Sequence, residues 1–188
     1  MHRSLIQHML CMVFITGYFP CMNFAQDSTE HDSPKFFWAH SGGGLGSYAL
    51  AFSGGVTYQS GDHLIAFNFN GTTEFNILGP SPTEETFDYA FLYGRALVTH
   101  RVSFGVFAGI SYVSSVVRGE KLAGSATPFI QIDKYERLES HAIGFPIRAQ
   151  YVSVISPVFG IGLAAFGDLN RAKSFGGVVL SLNFGKLK

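Results

Sequence analysis

The chain has 188 residues, with 13 Lys and Arg balanced by 13 Asp and Glu. Charged residues make up only 14% and hydrophobic ones 47%, with 22 Gly, 19 Phe, 8 Tyr and a single Trp. That balance excludes a nucleic-acid binder, which needs a basic face, and a disordered chain, which cannot carry so much apolar content; the length fits one domain.

Residues 1–25 read MHRSLIQHMLCMVFITGYFPCMNFA. A basic start at Arg3, an apolar stretch from Met9 to Phe19, a break at Pro20 and a small residue at Ala25 are the layout of a secretory signal peptide, cut before Gln26. The apolar stretch is shorter than the roughly 20 residues a spanning helix needs. Both cysteines, Cys11 and Cys21, leave with this segment, so the exported domain is held without disulfides. Residues 26–35 (QDSTEHDSPK) read as a flexible leader.

From residue 36 onward apolar side chains recur at period two, the signature of strands. In the clearest run Val102, Phe104, Val106, Ala108, Ile110 and Tyr112 alternate with Ser103, Gly105, Phe107, Gly109 and Ser111. Near the end Val178, Leu180, Leu182 and Phe184 alternate with Gly177, Val179, Ser181 and Asn183. Segments of this kind fall at about 36–46, 49–59, 63–77, 87–99, 102–117, 138–153, 157–167 and 172–184. Tight turns follow the second, fourth and sixth, whereas longer connections at 78–87 and 118–137 follow the third and fifth. An even strand number with short turns at one end and longer loops at the other predicts an all-β, eight-stranded antiparallel transmembrane up-and-down β-barrel at 36–188.

The physical logic supports this pattern. Lipid offers no partner for open backbone groups, so a membrane sheet closes and loses its edges. Large apolar side chains then face lipid, while Gly, Ser, Asn and a few charges fill a narrow lumen. Trp38, Tyr58, Tyr112, Tyr151 and Phe184 fall near strand ends, as interfacial aromatic girdles require. A helical span over the uncharged residues 149–167 is interrupted by Pro157, Gly160, Gly162 and Gly167. The more serious alternative is a soluble barrel enclosing a small ligand, which would place its large residues inside. Phe107 and Val179 fit the lipid-facing scheme badly, and Pro146 calls for a bulge because proline is excluded from a closed ladder.

Residues 36–188 resemble the small outer-membrane β-barrel proteins of the Bacteroidota, grouped as outer membrane beta-barrel or porin-family proteins. The likeness rests on HSGGGLGSYALAFSGGVTYQSGDH at 40–63, YGRALVTHRVSFGVFAGISYV at 93–113 and the ending FGIGLAAFGDLNRAKSFGGVVLSLNFGKLK, with the Ala25–Gln26 junction. It implies a bacterial outer-membrane location, outer-membrane lipid and the barrel assembly machinery as partners, and a monomer. The last strand, with Leu182 and Phe184, is the expected assembly signal, although Phe184 is followed by Gly185-Lys186-Leu187-Lys188 rather than ending the chain.

Chemistry-bearing patterns are few, and no cofactor, metal or nucleic acid is expected. Gly42-Gly43-Gly44 lacks the Lys-Ser/Thr of a phosphate loop, and the histidines lack metal-ligand spacing. A lipid A acyltransferase or deacylase would use Ser, His and an acid near the outer leaflet, and Ser140, His141 and Asp88 are the candidates. Adjacent strand residues point to opposite faces, which argues against that set. Inward charges are the other pattern: Arg148 and Gln150, with Arg95 and Glu74 expected inward too, predict a lumen network that also takes in Asp88. The expected role is structural, or binding and adhesion through the exposed loops, without catalysis.

Overall fold

A computed structural model describes residues 35–75, 80–99, 102–127 and 130–187. The signal peptide expected at 1–25 and the leader up to residue 34 lie outside these residues; Lys35, assigned to the leader, instead opens the first strand. Eight strands follow: β1 Lys35–Gly46, β2 Leu50–Ser60, β3 His63–Thr73, β4 Glu85–Thr99, β5 Val102–Thr127, β6 Ile130–Ser156, β7 Phe159–Asn170 and β8 Phe175–Lys186. Each pairs antiparallel with its neighbours in sequence, and β1 pairs with β8 to close the ring. Every backbone edge of the common wall is thereby used, as a bilayer demands.

The seam between β1 and β8 explains the glycine run. A Cβ on Gly42 or Gly44 would run into the backbone of Leu180 or Val178, so only glycine allows this approach. Gly71 has a related role on the outer face. There Phe52, Phe69 and Phe87 pack ring against ring, with centroids 5.5 and 5.9 Å apart, over the space a side chain on Gly71 would fill.

Alternation holds around the wall. Ile110 is 67% exposed and its neighbour Ser111 4%, and Phe67, Phe91, Leu163 and Leu180 share the outward face. A continuous belt of such residues has no place in water and fits a bilayer. Tyr58, Tyr112, Tyr151 and Phe184 face outward as expected. Trp38 does not: it is buried at 4%, on the lumen side with His40, because the even-numbered residues of β1 point inward.

The lumen itself differs from the small polar lining expected. Trp38, Leu64, Leu92 and Phe107 form an apolar plug toward the short-turn end. Val113, Phe166, Phe175 and Val179 form a second toward the other end. Phe107 and Val179 are thus plug residues, and the wall alternation needs no exception for them. Eight strands leave an interior just wide enough for such side chains to fill.

Two local expectations are corrected. Pro146 causes no bulge: the β5–β6 register is the same on either side, Ala108 with Ile147 and Ser111 with Gly144, and only the intervening pairings are missing. On its other flank Pro146 pairs with Asp168. The segment 118–137, expected as a connection, continues β5 and β6 as a hairpin, giving strands of 26 and 27 residues beside others of 11 to 15. Its glycines do not end the strand, because register shifts between Arg118 and Lys121 and between Leu122 and Ser125 absorb them. The 78–87 connection is likewise displaced: β3 already ends at Thr73 and β4 begins at Glu85.

Candidate functional site

Between the two apolar plugs lies a polar centre built on Arg148 of β6, which is 3% exposed. Its Nη1 donates to Ser53 Oγ at 2.7 Å and to Asn70 Oδ1 at 3.3 Å. Its Nε donates to Gln150 Oε1 at 3.1 Å, and Nη2 lies 3.2 Å from His40 Nε2. Ser53 Oγ also donates to Asn70 Oδ1 at 2.8 Å. The Asn70 amide and backbone N–H both donate to Asp88 Oδ1, at 2.8 and 3.1 Å, which links the acid to the cation through one side chain. Gln150 continues the chain to Asn183 at 3.5 Å. A second buried acid, Asp168, accepts from Ser111 Oγ and from Asn170 Nδ2.

Such an arrangement sets one guanidinium against four neighbours in four strands, β1, β2, β3 and β6. A buried charge persists only when it is compensated in this way. Inward facing puts His40, Ser53, Asn70, Asp88, Arg148 and Gln150 in the lumen, and the stagger of their strands brings them to one level. The two apolar clusters flank this centre along the lumen.

Arg148, Gln150 and Asp88 therefore lie together in the lumen. Arg95 does not join them. It sits on the outer face of β4, its side chain 63% exposed, paired with Asp62 at the short turn between β2 and β3. Its neighbours Gly94 and Ala96 take the inward positions, so the phase of β4 excludes it. Glu74 lies past the end of β3, where it pairs with Arg118 rather than Arg148. The expected network does not include His40, Asn183 or Asp168. His40 shares the facing of Trp38, and that phase was the available signal.

The three candidate catalytic residues are not assembled. Ser140 pairs with the buried Ser115, whereas His141 faces outward and stacks on Tyr112, with ring centroids 5.7 Å apart. Asp88 is held in the lumen by Asn70. Strand alternation separates the would-be nucleophile from its base.

A second cluster ties the long-loop end together. Arg118, at the root of the β5–β6 hairpin, pairs with Glu74 and donates from Nε to the Pro82 carbonyl at 3.1 Å. Glu84 accepts from the Arg118 backbone N–H at 3.3 Å and from Lys173 Nζ at 2.9 Å. Lys173 also sits 4.2 Å from the centroid of the Tyr48 ring. Tyr135 N–H donates to the Ser81 carbonyl at 2.7 Å, where Ser81 bridges alongside Lys134. The Lys173 hydrogen bond, followed by the Arg118 N–H and the nearby cations, holds the Glu84 carboxyl below its ordinary range against the opposing effect of burial. Burial works against the Lys173 ammonium, but its contacts with Tyr48 and Glu84 prevail and raise it. This strap joins three connections to the hairpin at the long-loop end.

No family model matches the chain, and no curated protein matches it. Solved structures do. The chain is similar to Neisserial surface protein A, at 12% identity and TM-score 0.56 over 80% of this chain and 96% of that one. It is similar to the N-terminal β-barrel domain of Pseudomonas aeruginosa OprF, at 11% identity and TM-score 0.55 over 80% and 96%. It is also similar to Ail, the attachment invasion locus protein of Yersinia pestis, at 11% identity and TM-score 0.52 over 82% and 99%. At these identities the likeness is one of architecture, and the architecture is the eight-stranded outer-membrane β-barrel.

Proposed function

We propose that this chain is an integral barrel of the bacterial outer membrane, of the small Bacteroidota type that residues 36–188 resemble, and that it presents the β5–β6 hairpin outside the cell for binding or adhesion. The observation that carries this reading is the unequal strand length. β5 and β6 run far beyond the wall while the lumen is filled by two plugs and a bonded centre. A filled eight-strand lumen suits an anchor better than a pore. The closing strand β8, with Leu182 and Phe184 on its outer face, would be read by the assembly machinery, and the closed ring leaves a monomer no edge to pair in lipid.

The hairpin flank does not favour a purely anionic partner. Around its described part Arg118, Lys121, Lys134 and Arg137 alternate with Glu120, Glu136 and Glu139, and Arg137 is itself bonded to Glu139 at 2.7 Å. A mixed-charge partner surface fits this pattern better than a polyanion.

Site-directed labelling tests the reading. With a membrane-impermeant maleimide on intact cells, Glu120→Cys and Lys134→Cys should react, whereas Asp62→Cys at a short turn should react only after permeabilisation. Labelling of Asp62→Cys on intact cells with protection of the hairpin positions would overturn the proposed orientation. Steady single-channel conductance in planar bilayers would overturn the anchor reading in favour of a pore.

A further inference from the structure

On the outer wall the first and last strands set two lysines near each other at the short-turn end. Lys186 of β8 pairs with Phe37 of β1, and Lys35 lies two positions before Phe37 on the same face. Diagonal cross-strand neighbours of this kind are about 7–8 Å apart, close enough for two long side chains to meet on one group. Both lysines are exposed. From Lys35 the pairing runs through Ser60 of β2 to His63 of β3 and Arg95 of β4. Asp62 pairs with Arg95 and lies 3.4 Å from His63 Nε2. Among these residues Lys35, Lys186 and Arg95 outnumber the single acid, so the patch is positive.

Toward the middle of the wall the same face is aromatic. Phe37 pairs with Tyr58, Phe184 lies two positions before Lys186, and all three rings are exposed. The patch is therefore continuous with the belt that faces the bilayer, and it has the order of a lipid: rings for the acyl chains, then cations for a headgroup. Lysine stems lie along apolar surface and carry the ammonium into the headgroup layer. At that level one basic side chain favours an anionic lipid about fivefold. Residues 26–34 are the alternative occupant, since they hold Asp27, Glu30 and Asp32 and lead into Lys35. They contain no large apolar side chain to set against the rings.

We propose that the outer face of the β1–β8 seam, at the short-turn end, binds a glycerophospholipid of net negative charge. Its phosphate lies between Lys35 and Lys186, and its acyl chains lie over Phe37, Tyr58 and Phe184. One headgroup then spans the first and last strands, so the lipid also ties the seam at which the ring closes. The site is independent of the hairpin and of any role the hairpin has.

Trp38 is the sole tryptophan, so a reporter can be moved onto the wall. Trp38→Phe with Ala39→Trp puts an indole on the outer face of β1, two positions above Phe37; Trp38→Phe with Ile110→Trp puts one on β5. Each full-length variant is folded in phosphatidylcholine vesicles containing increasing fractions of phosphatidylglycerol or phosphatidylcholine brominated on the acyl chains. At position 39 brominated phosphatidylglycerol should quench at about a fivefold lower fraction than brominated phosphatidylcholine. At position 110 the two should quench alike. Raising salt from about 0.1 M to 1 M should remove most of the difference at 39, because the Debye length falls from about 10 to 3 Å. Lys35→Gln with Lys186→Gln should abolish it; should that pair fail to show heat-modifiable migration, Lys186→Gln alone should at least halve it. Equal quenching by the two lipids at 39, or the same preference at 39 and 110, would overturn the site. A preference that survives high salt or the lysine substitutions would overturn the role of the lysines. A preference that emerges only when residues 26–34 are deleted would mean that the leader covers the patch, and would overturn the proposal as well.

Discussion

The barrel wall and the β5–β6 hairpin are made of the same two strands, yet they obey different rules. Between Val102 and Val116, β5 is paired on both sides, with β4 and with β6. Beyond Val116 it pairs only with β6, and the register slips twice within a few residues. Among the described pairings of the wall the register shifts only between Val154 and Ser156, at the short-turn end of β6 and β7, because in lipid every unmatched backbone group is costly and a one-residue shift would turn the apolar face inward. In water the open edges are solvated, so the hairpin can bulge, and a two-stranded ribbon of this kind needs support at its root. Arg118, Glu74, Glu84 and Tyr135 supply that support. The same alternation therefore yields a rigid wall where the solvent is lipid and an adaptable arm where it is water.

The largest expected break in this contrast lies inside the wall. Arg148→Leu removes the donors that serve Ser53, Asn70 and Gln150 and leaves Asp88 and Asp168 without a buried Lys or Arg among the described residues. Removing one partner of a buried charged network costs about 3–5 kcal/mol. Urea unfolding in lipid vesicles should show a loss of that order, and an unchanged midpoint would mean that the centre contributes nothing net.

Next comes the lipid face. Ile110→Arg should cost about 2–4 kcal/mol in the same assay, and more than Ile110→Ser, with the excess shrinking toward Val102 at the strand end. Nitroxides at positions 110 and 111 sharpen the point. Lipid-phase oxygen should relax the probe at 110 and spare that at 111, and the reverse pattern would place the apolar belt inside.

The strap comes third and acts locally. Glu84 titrates below its usual value because Lys173 and the Arg118 N–H favour the carboxylate. A group with a depressed folded pKa stabilises above its unfolded pKa and loses that contribution as pH falls through the folded one. Acidification below the ordinary glutamate value of 4.5 should therefore loosen the strap. After correction for intrinsic rates, hydrogen exchange at Tyr135 N–H should accelerate in acid, and Glu84→Gln should abolish that dependence while sparing the barrel. A pH-independent rate in the parent chain would separate Glu84 from the hairpin root.

The smallest effect is expected for the arm itself. Deleting residues 120–135 should leave heat-modifiable migration and the unfolding midpoint nearly unchanged, because loop closure varies only by about 0.6 kcal/mol per doubling of length. A large loss would mean that the wall depends on the hairpin.

Much of the wall was legible in the chain itself. Period two across Val102–Tyr112 and Val178–Phe184 announces two faces, and eight such runs with unequal connections announce a ring. Each strand's own phase also places Arg148 and Gln150 inward, because facing is a local property of the pleat. Arg95 was expected inward against the phase of its own strand, in which Gly94 and Ala96 hold the inward positions. Trp38 was placed in a girdle on residue type, although its phase put it beside His40 in the lumen.

What the sequence determined, then, is which side of a strand each residue occupies, since alternation depends only on backbone geometry. What only the tertiary structure decided is which inward residues meet. Strand tilt and stagger set depth in the lumen, and they bring Arg148 to Ser53 and Asn70, some 95 and 78 positions away in the chain. They also sort large inward residues into two plugs around a polar layer, an order no single strand encodes. The extent of β5 and β6 was settled in the same way. The connection expected at 118–137 is strand instead, because pairing across the hairpin recovers hydrogen bonds of both strands and lets bulges absorb the extra residues.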